Sequence, residues 1–284
     1  MKRIYTLLSV ILLLFMMSFG PGDKFRKILS EFHNANSKNI LVAAHRCAHN
    51  GFPENSISAL KHAIELGVDI AETDVKVTRD SVVVLMHDGK IDRTTNGKGN
   101  PENLTLSELK KFRLKMPDGT LTDETIPTFE EFLKVAKGRI MVDIDIKTSY
   151  LKPVVDVVKK TGTQNQVFYF DDDYESLQKV RSLDPGSMFM PRAHSYHEAD
   201  SALVRFKPQA IHIDDTFYTP EVTELIRGKN ARIWINALDK ADREIRKGGI
   251  VGAMNGLLVN RANIIQTDEP EKILDYLRSK GLHD

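Results

Sequence analysis

The sequence predicts an α/β chain folded as a (β/α)8, or TIM, barrel, and three observations carry that prediction. From Asn39 onward, short β-rich runs alternate with amphipathic helical patterns, the rhythm of parallel βα units. Eight such units fit in about 250 residues, the usual size of this barrel. Acids and histidines gather at the C-terminal ends of the β-rich runs, the face on which such barrels carry their chemistry. An open doubly wound sheet is the alternative arrangement, and it is weakened because no Gly-rich dinucleotide fingerprint follows the first run.

Taken in order, the expected strands are Ile40–Ala44, Ile70–Val77, Val82–His87, Arg139–Ile146, Gln166–Phe170, Ser187–Met190, Ala210–Ile213, Arg232–Asn236 and Ile264–Thr267. Amphipathic helical segments between them include Ser56–Leu66, Thr128–Val135, Leu151–Lys160, Tyr174–Leu183 and Pro220–Arg227, and the last helix is Pro270–Ser279. Residues 92–125 break the rhythm. They hold the turn signals Asn96-Gly97, Gly99, Pro101, Pro117 and Asp118-Gly119. This stretch reads as an insertion loop after the second strand region, on the catalytic face, with one short helix near Ser107–Phe112. Residues 21–284 therefore form a single domain with a decorated loop.

Composition narrows the function. Lys+Arg total 40 and Asp+Glu 39, a net charge of +1, so a dedicated nucleic-acid or membrane-surface binder is disfavoured. At the N-terminus, Lys2-Arg3 precede an apolar run from Ile4 to Phe19, followed by small residues at Ser18 and Gly20. This has the form of a signal peptide over residues 1–20, and the run is shorter than the roughly 20 residues of a spanning helix. The expectation is an exported mature chain, periplasmic or extracellular, with no stable membrane span. The single cysteine, Cys47, rules out an internal disulfide and reads as a small packed residue rather than a nucleophile.

The strands carry polar residues that a barrel interior of branched apolar side chains does not explain. The first run ends in His45-Arg46, the second holds Glu72 and Asp74, and the third run ends in His87-Asp88. Asp143, Asp145 and Lys147 follow in the next strand. Period-2 spacing puts Glu72 with Asp74, and Asp143 with Asp145 and Lys147, on one face each. So many buried carboxylates need a cation. An all-oxygen donor set without cysteine suits one divalent ion, Ca2+ or Mg2+. Two histidines beside the acids point to proton transfer. Asp143 reads equally as a partner behind the ligands or as a ligand itself. Arg93-Thr94-Thr95 reads as turn stabilisation, and Trp234 as pocket wall.

These residues resemble the glycerophosphodiester phosphodiesterase family. The likeness runs through His45-Arg46, Pro53-Glu54-Asn55-Ser56, Ala59, Ala63, Gly67, Asp69 and Glu72-x-Asp74-Val75. It continues in Thr78, Asp80, His87-Asp88, Arg93-Thr94-Thr95, Gly97, Gly99 and Ile126-Pro127-Thr128. Asp145-Ile146-Lys147, Trp234-Ile235-Asn236 and Thr267-Asp268-Glu269-Pro270 match weaker late motifs. The resemblance implies that His45 and His87 are the acid/base pair and that Glu72, Asp74 and Asp145 hold the metal. It implies that Arg46 and Lys147 bind phosphoryl oxygens, with Glu54 close to the metal or the glycerol. The implied activity is metal-dependent hydrolysis of a glycerophosphodiester, a small-molecule substrate, to sn-glycerol 3-phosphate and an alcohol.

Departures from the family pattern concern the substrate. Cys47 stands where glycine is usual, Asp145 is one methylene shorter than the usual glutamate, and Ser81 replaces a turn glycine. Tyr169-Phe170 replaces a common Ser-Phe, and the Gly248–Ala262 link is long and apolar. Cys47, Tyr169, Trp234 and Gly252–Val259 are therefore expected to bound the leaving-group side of the pocket. The alternatives are a phospholipid-cleaving barrel, which an exposed apolar rim at Gly252–Val259 would favour, and a catalytically impaired phosphodiester-binding barrel.

Overall fold

A computed structural model describes residues 21–284; the expected leader at residues 1–20 lies outside them. The strands are β1 Leu41–Ala44, β2 Ile70–Val77, β3 Val83–Leu85, β4 Met141–Ile146, β5 Val167–Asp171, β6 Met188–Ala193, β7 Ala210–Ile213, β8 Arg232–Asn236 and β9 Ile264–Thr267. The helices are α1 Pro21–Phe32, α2 Ile57–Leu66, α3 Leu106–Leu109, α4 Phe129–Ala136, α5 Leu151–Thr161 and α6 Tyr174–Leu183. They continue with α7 Tyr196–Phe206, α8 Pro220–Gly228, α9 Lys240–Arg246, α10 Ile250–Leu258 and α11 Pro270–Ser279.

Eight strands pair in parallel in the order β1-β9-β8-β7-β6-β5-β4-β2, and β1 pairs with β2 to close the ring. The expected barrel is present, with one correction. The third β-rich run is not a barrel stave but pairs antiparallel with β2, outside the ring. Its tight turn places Ser81 at φ 63, a conformation that glycine adopts freely and serine only at some cost.

Alternation along the staves decides what faces inward. The lower interior is apolar, built from Leu41, Ala43, Ile70, Met141, Phe168, Met188, Ala210, Trp234 and Ile264. Helix α1 plugs this end with Ile28 and Phe32, and Phe32 stacks on Phe168 at 4.9 Å between ring centroids. Burying each such side chain contributes about 1.5–3 kcal/mol. Fully buried Arg232 ties the plug down by donating to the carbonyls of Glu31, Asn39 and Asn263. The opposite faces of the staves pack on the surrounding helices, where Val42, Val75, Ile144, Tyr169, Ile211, Ile233 and Ile265 belong to one continuous core.

The 92–125 insertion packs around a small separate core, in which its Leu109 and Leu114 meet Val84, Met86, Ile91 and Ile126. Gly97 is required there. A Cβ at that position would lie 2.5 Å from Phe112 and 2.7 Å from Ile91. The long apolar link before β9 is helix α10, whose Ala253, Met254 and Leu257 are buried. Its apolar content is spent largely on the core, leaving Val251, and Val259 just after the helix, as exposed large side chains. Among the described residues, no helix is long and apolar enough to cross a membrane.

Candidate active site

The upper half of the barrel holds a cavity of about 120 Å³ lined by His45, Glu72, His87, Asp143, Asp145 and Lys147 on one side. Phe170, Met190, Arg192, His212, Trp234, Asn236, Leu238 and Gln266 complete it. Strand register explains the convergence of acids, since Glu72 lies opposite Asp143 and Asp74 opposite Asp145 on the paired strands β2 and β4.

Glu72, Asp74 and Asp145 offer carboxylate oxygens that all lie within 4.8 Å of one another. Burial first, then the charges of Asp74, Asp145 and Asp143, pushes the Glu72 carboxyl well above its usual range. Asp145 is pushed up to about 7, by burial and then by Asp74. Asp74 Oδ1 is buried with no hydrogen-bond partner. An orphaned buried carboxylate oxygen within an all-oxygen trio is what a hard divalent cation satisfies, so the residues present fit such an ion. Asp143 is not part of the trio. It lies one step deeper, its Oδ1 also unpartnered and its carboxyl pushed up by burial and by Asp145.

The turn after β1 shapes this arrangement. Arg46 and Cys47 both adopt positive φ, 47 and 67, which costs free energy for side chains other than glycine. The gain is that the Arg46 backbone N–H donates to Glu72 Oε2 at 2.5 Å and that of Cys47 to the Glu72 carbonyl at 3.1 Å. Asn55, at φ 53, donates to Asp74 Oδ2 at 2.8 Å and accepts from Thr73 Oγ1 and the Asp74 N–H. Both acids of the trio on β2 are thus held from the β1–α2 loop.

Each histidine is anchored through Nδ1 by a carboxylate. His45 meets Asp268 Oδ1 at 2.8 Å, and His87 meets Asp88 Oδ1 at 2.8 Å. An Nδ1–H donated to a carboxylate leaves Nε2 for a ligand. The anchors are firmly ionised. Asp268 is held down at about 2, with burial opposed by the hydrogen bond and charge of His45. Asp88 lies well below the carboxylate range, chiefly through its hydrogen bond from Arg93.

Lys147 donates to Asp145 Oδ2 at 2.8 Å and lies 3.9 Å from Asp74 Oδ1. Burial pulls its ammonium down, but Asp145 outweighs this and raises it. The Arg46 guanidinium lies 3.0 Å from Glu54 and 3.7 Å from Asp74, with its Nε unpartnered by a hydrogen bond. Both cations therefore border the trio, where anionic oxygens would be received.

Four sequence expectations need correction. Glu54 is not among the carboxylates that meet in the trio, and both its oxygens are taken by Arg93 and one also by Arg46. Arg93 is accordingly a clamp joining Glu54 to Asp88, while Thr95 serves the turn by accepting from Gly97 N–H and donating to the Ile91 carbonyl. Cys47 is 1% exposed, packs in the outer core and points its sulfur toward the Glu72 carbonyl, away from the cavity lining. Tyr169 likewise faces the outer core, and its even-parity neighbour Phe170 lines the cavity. Trp234 does line the cavity, as its floor rather than its wall. It is fully buried, with Nε1 donating to Asn236 Oδ1 at 3.0 Å.

Sequence reasoning gave no role to Asp268, Asn55, Arg192, His212 or Gln266. The signal was available for three of them. His212 follows Ala210 by two residues, Gln266 follows Ile264 and Arg192 follows Met190, the same period-2 argument that picked out the acids of β2 and β4.

The comparisons agree with this geometry. Residues 45–234 match the model of the glycerophosphoryl diester phosphodiesterase family. A glycerophosphodiester phosphodiesterase of Caldanaerobacter subterraneus is 29% identical over 257 residues, covering 85% of this chain and 99% of that one. One of Bacillus subtilis is 28% identical over 227 residues, covering 71% and 78%. The crystal structure of a Parabacteroides distasonis glycerophosphoryl diester phosphodiesterase superposes with a TM-score of 0.80 at 25% identity, covering 90% and 92%. The matched segment spans most of the barrel and contains every acid of the trio and both histidines, so the chain belongs to the glycerophosphoryl diester phosphodiesterase family and is a phosphoric diester hydrolase.

Proposed function

We propose that the protein hydrolyses glycerophosphodiesters to sn-glycerol 3-phosphate and an alcohol, with His45 and His87 as the acid/base pair and Glu72, Asp74 and Asp145 as ligands of one divalent cation. The observation that carries this reading is the carboxylate trio beside two carboxylate-anchored histidines in one cavity.

Attack on a phosphodiester builds negative charge on the nonbridging oxygens. Arg46 and Lys147, at the edge of the trio, would meet that charge from fixed positions. The bound cation, Ca2+ or Mg2+, would supply further charge stabilisation there. One histidine Nε2 takes the proton of the attacking hydroxyl, and the other gives a proton to the departing alkoxide. Asp268 and Asp88 hold the two rings in the tautomer that this requires and steady the imidazolium as it forms. Both water and the substrate's own neighbouring hydroxyl fit the role of nucleophile.

Export is part of the same proposal, supported by Lys2-Arg3 and the Ile4–Phe19 run. N-terminal sequencing finding the full-length chain in the cytoplasm would remove that part. The activity is tested by turnover of a panel of glycerophosphodiesters of different headgroups, with chelator and with added Ca2+ or Mg2+. Release of glycerol 3-phosphate only when a divalent ion is present supports the reading. Full activity in excess chelator overturns the metal's role, and no turnover of any member overturns the substrate class.

A further inference from the structure

The mouth of the barrel is divided by charge. On β1, β2 and β4 the cavity meets His45, the acids and Lys147, whereas on β6 to β9 it meets Arg192, His212, Asn236 and Gln266. The guanidinium of Arg192 pairs through Nη2 with Asp214, at 2.5 Å, its Nε having no partner, and Asp214 also accepts from His194. That half of the site is therefore polar, with its one guanidinium paired to a carboxylate.

Within it His212 is conspicuous. The side chain is 3% exposed, and neither ring nitrogen has a hydrogen-bond partner. Phe170 packs on one side at 5.1 Å and Trp234 on another at 6.3 Å between centroids. An unmet donor and an unmet acceptor on one buried ring are costly, and natural interiors rarely leave such groups without a role. Burial, then the neighbouring Arg192, pushes this imidazole down to about 3, so near neutrality it is uncharged, with one donor and one acceptor. A phosphoryl oxygen only accepts, and an ammonium only donates. A hydroxyl does both. Asn236 adds an amide donor, because its Oδ1 is taken by Trp234.

We propose that His212 is a specificity-determining residue that binds the hydroxyls of the glycerol half of the substrate, with Asn236 and Gln266 beside it. The proposal rests on the phosphodiester reading above and names the part of the substrate held by this wall. A cavity of about 120 Å³ floored by Trp234 suits a compact three-carbon polyol. The departing alcohol must leave toward solvent, so the deep subsite belongs to the half that stays.

The test uses binding, so that it does not depend on turnover. Calorimetry in Mg2+ compares glycerol 3-phosphate with propyl phosphate, which keeps the carbon chain and phosphate but lacks both hydroxyls. The wild-type protein should prefer glycerol 3-phosphate, and His212→Phe should shrink that preference by about 10- to 100-fold. Affinity for propyl phosphate should stay within about 2-fold, and His212→Gln, which keeps a donor and an acceptor, should retain most of the preference. If His212→Phe lowers the melting temperature, His212→Leu repeats the measurement. An unchanged preference in the folded apolar variant overturns the proposal, as does an equal loss for both ligands, which would mean that His212 only shapes the floor. Failure of the phosphodiester reading is seen separately, as absence of turnover by the wild-type enzyme.

Discussion

Chelating the divalent ion should reverse the pH dependence of stability that the carboxylate trio otherwise has. Asp145 ionises in the folded, ion-free protein only at about 7, against 3.8 ordinarily, and Glu72 and Asp143 are raised as well. Below pH 3.8 both folded and unfolded chains keep these protons, so nothing is lost. Between about 4 and 7 the unfolded chain releases a proton that the folded chain retains, and stability falls as pH rises. The rise from 3.8 to about 7 corresponds to up to about 4 kcal/mol from Asp145 alone. A cation bound to the ionised trio removes that decline. Depressed groups such as Asp88 and Asp268 act with the opposite sign and at lower pH. His283 and Asp171 are raised and His212 is lowered, and these contribute equally with and without the ion. The measurement is therefore the difference between urea-unfolding free energies in chelator and in Mg2+ or Ca2+, taken from pH 4.5 to 7.5. It should widen with pH by about 2–4 kcal/mol, and Asp145→Asn should flatten the chelator curve. Parallel curves would refute the reasoning, because an ion that does not bind the trio cannot relieve its repulsion.

Three further outcomes are expected. His45→Ala and His87→Ala should each lower kcat by about 10²–10⁴-fold with a smaller effect on KM; steady-state kinetics showing near-normal turnover would make that histidine structural. Asn55→Ala removes three buried hydrogen bonds at a positive φ and should cost about 3–5 kcal/mol in denaturant unfolding; a loss below about 1 kcal/mol would show that Asp74 is held by other means. Cys47→Gly should leave the ratio of kcat/KM between small and large headgroups unchanged, since the sulfur packs away from the cavity, and a shifted ratio would mean that this turn does reach the substrate.

The barrel was legible because its staves and helices differ in period. Seven of the nine expected runs match a barrel stave to within a residue or two at each end, Ile70–Val77 and Ala210–Ile213 among them. The run at Val82–His87 misled because a short antiparallel strand and a parallel stave have the same composition, and only pairing distinguishes them. The carboxylate trio was legible because its acids alternate within strands and because the family resemblance singled out the same three. What the sequence could not convey was the occupancy of side chains brought together by closure. Glu54 looks free until Arg93, 39 residues away, is placed on it, and Asp268 gains a role only when β9 lies beside β1.

Two of the departures from the family pattern, Cys47 and Asp145, resolve differently once the backbone is known. Cys47 keeps the positive φ expected of glycine, at 67, so the turn is preserved at the expense of strain. The hydrogen bonds from Arg46 and Cys47 to Glu72 hold it in that shape. The side chain enters the packed layer between barrel and helices, where its thiol is pushed well up by burial, and then by Glu72 and Asp74. A protonated, buried thiol is unsuited to nucleophilic attack. Asp145 is a different case, because its shorter side chain stands in register beside Asp74 on the neighbouring stave. Strands about 4.8 Å apart bring its carboxylate within reach of the other two without the extra methylene. The departure at Cys47 is thus absorbed by packing and the one at Asp145 by pairing. Neither displaces the acids or histidines from the cavity.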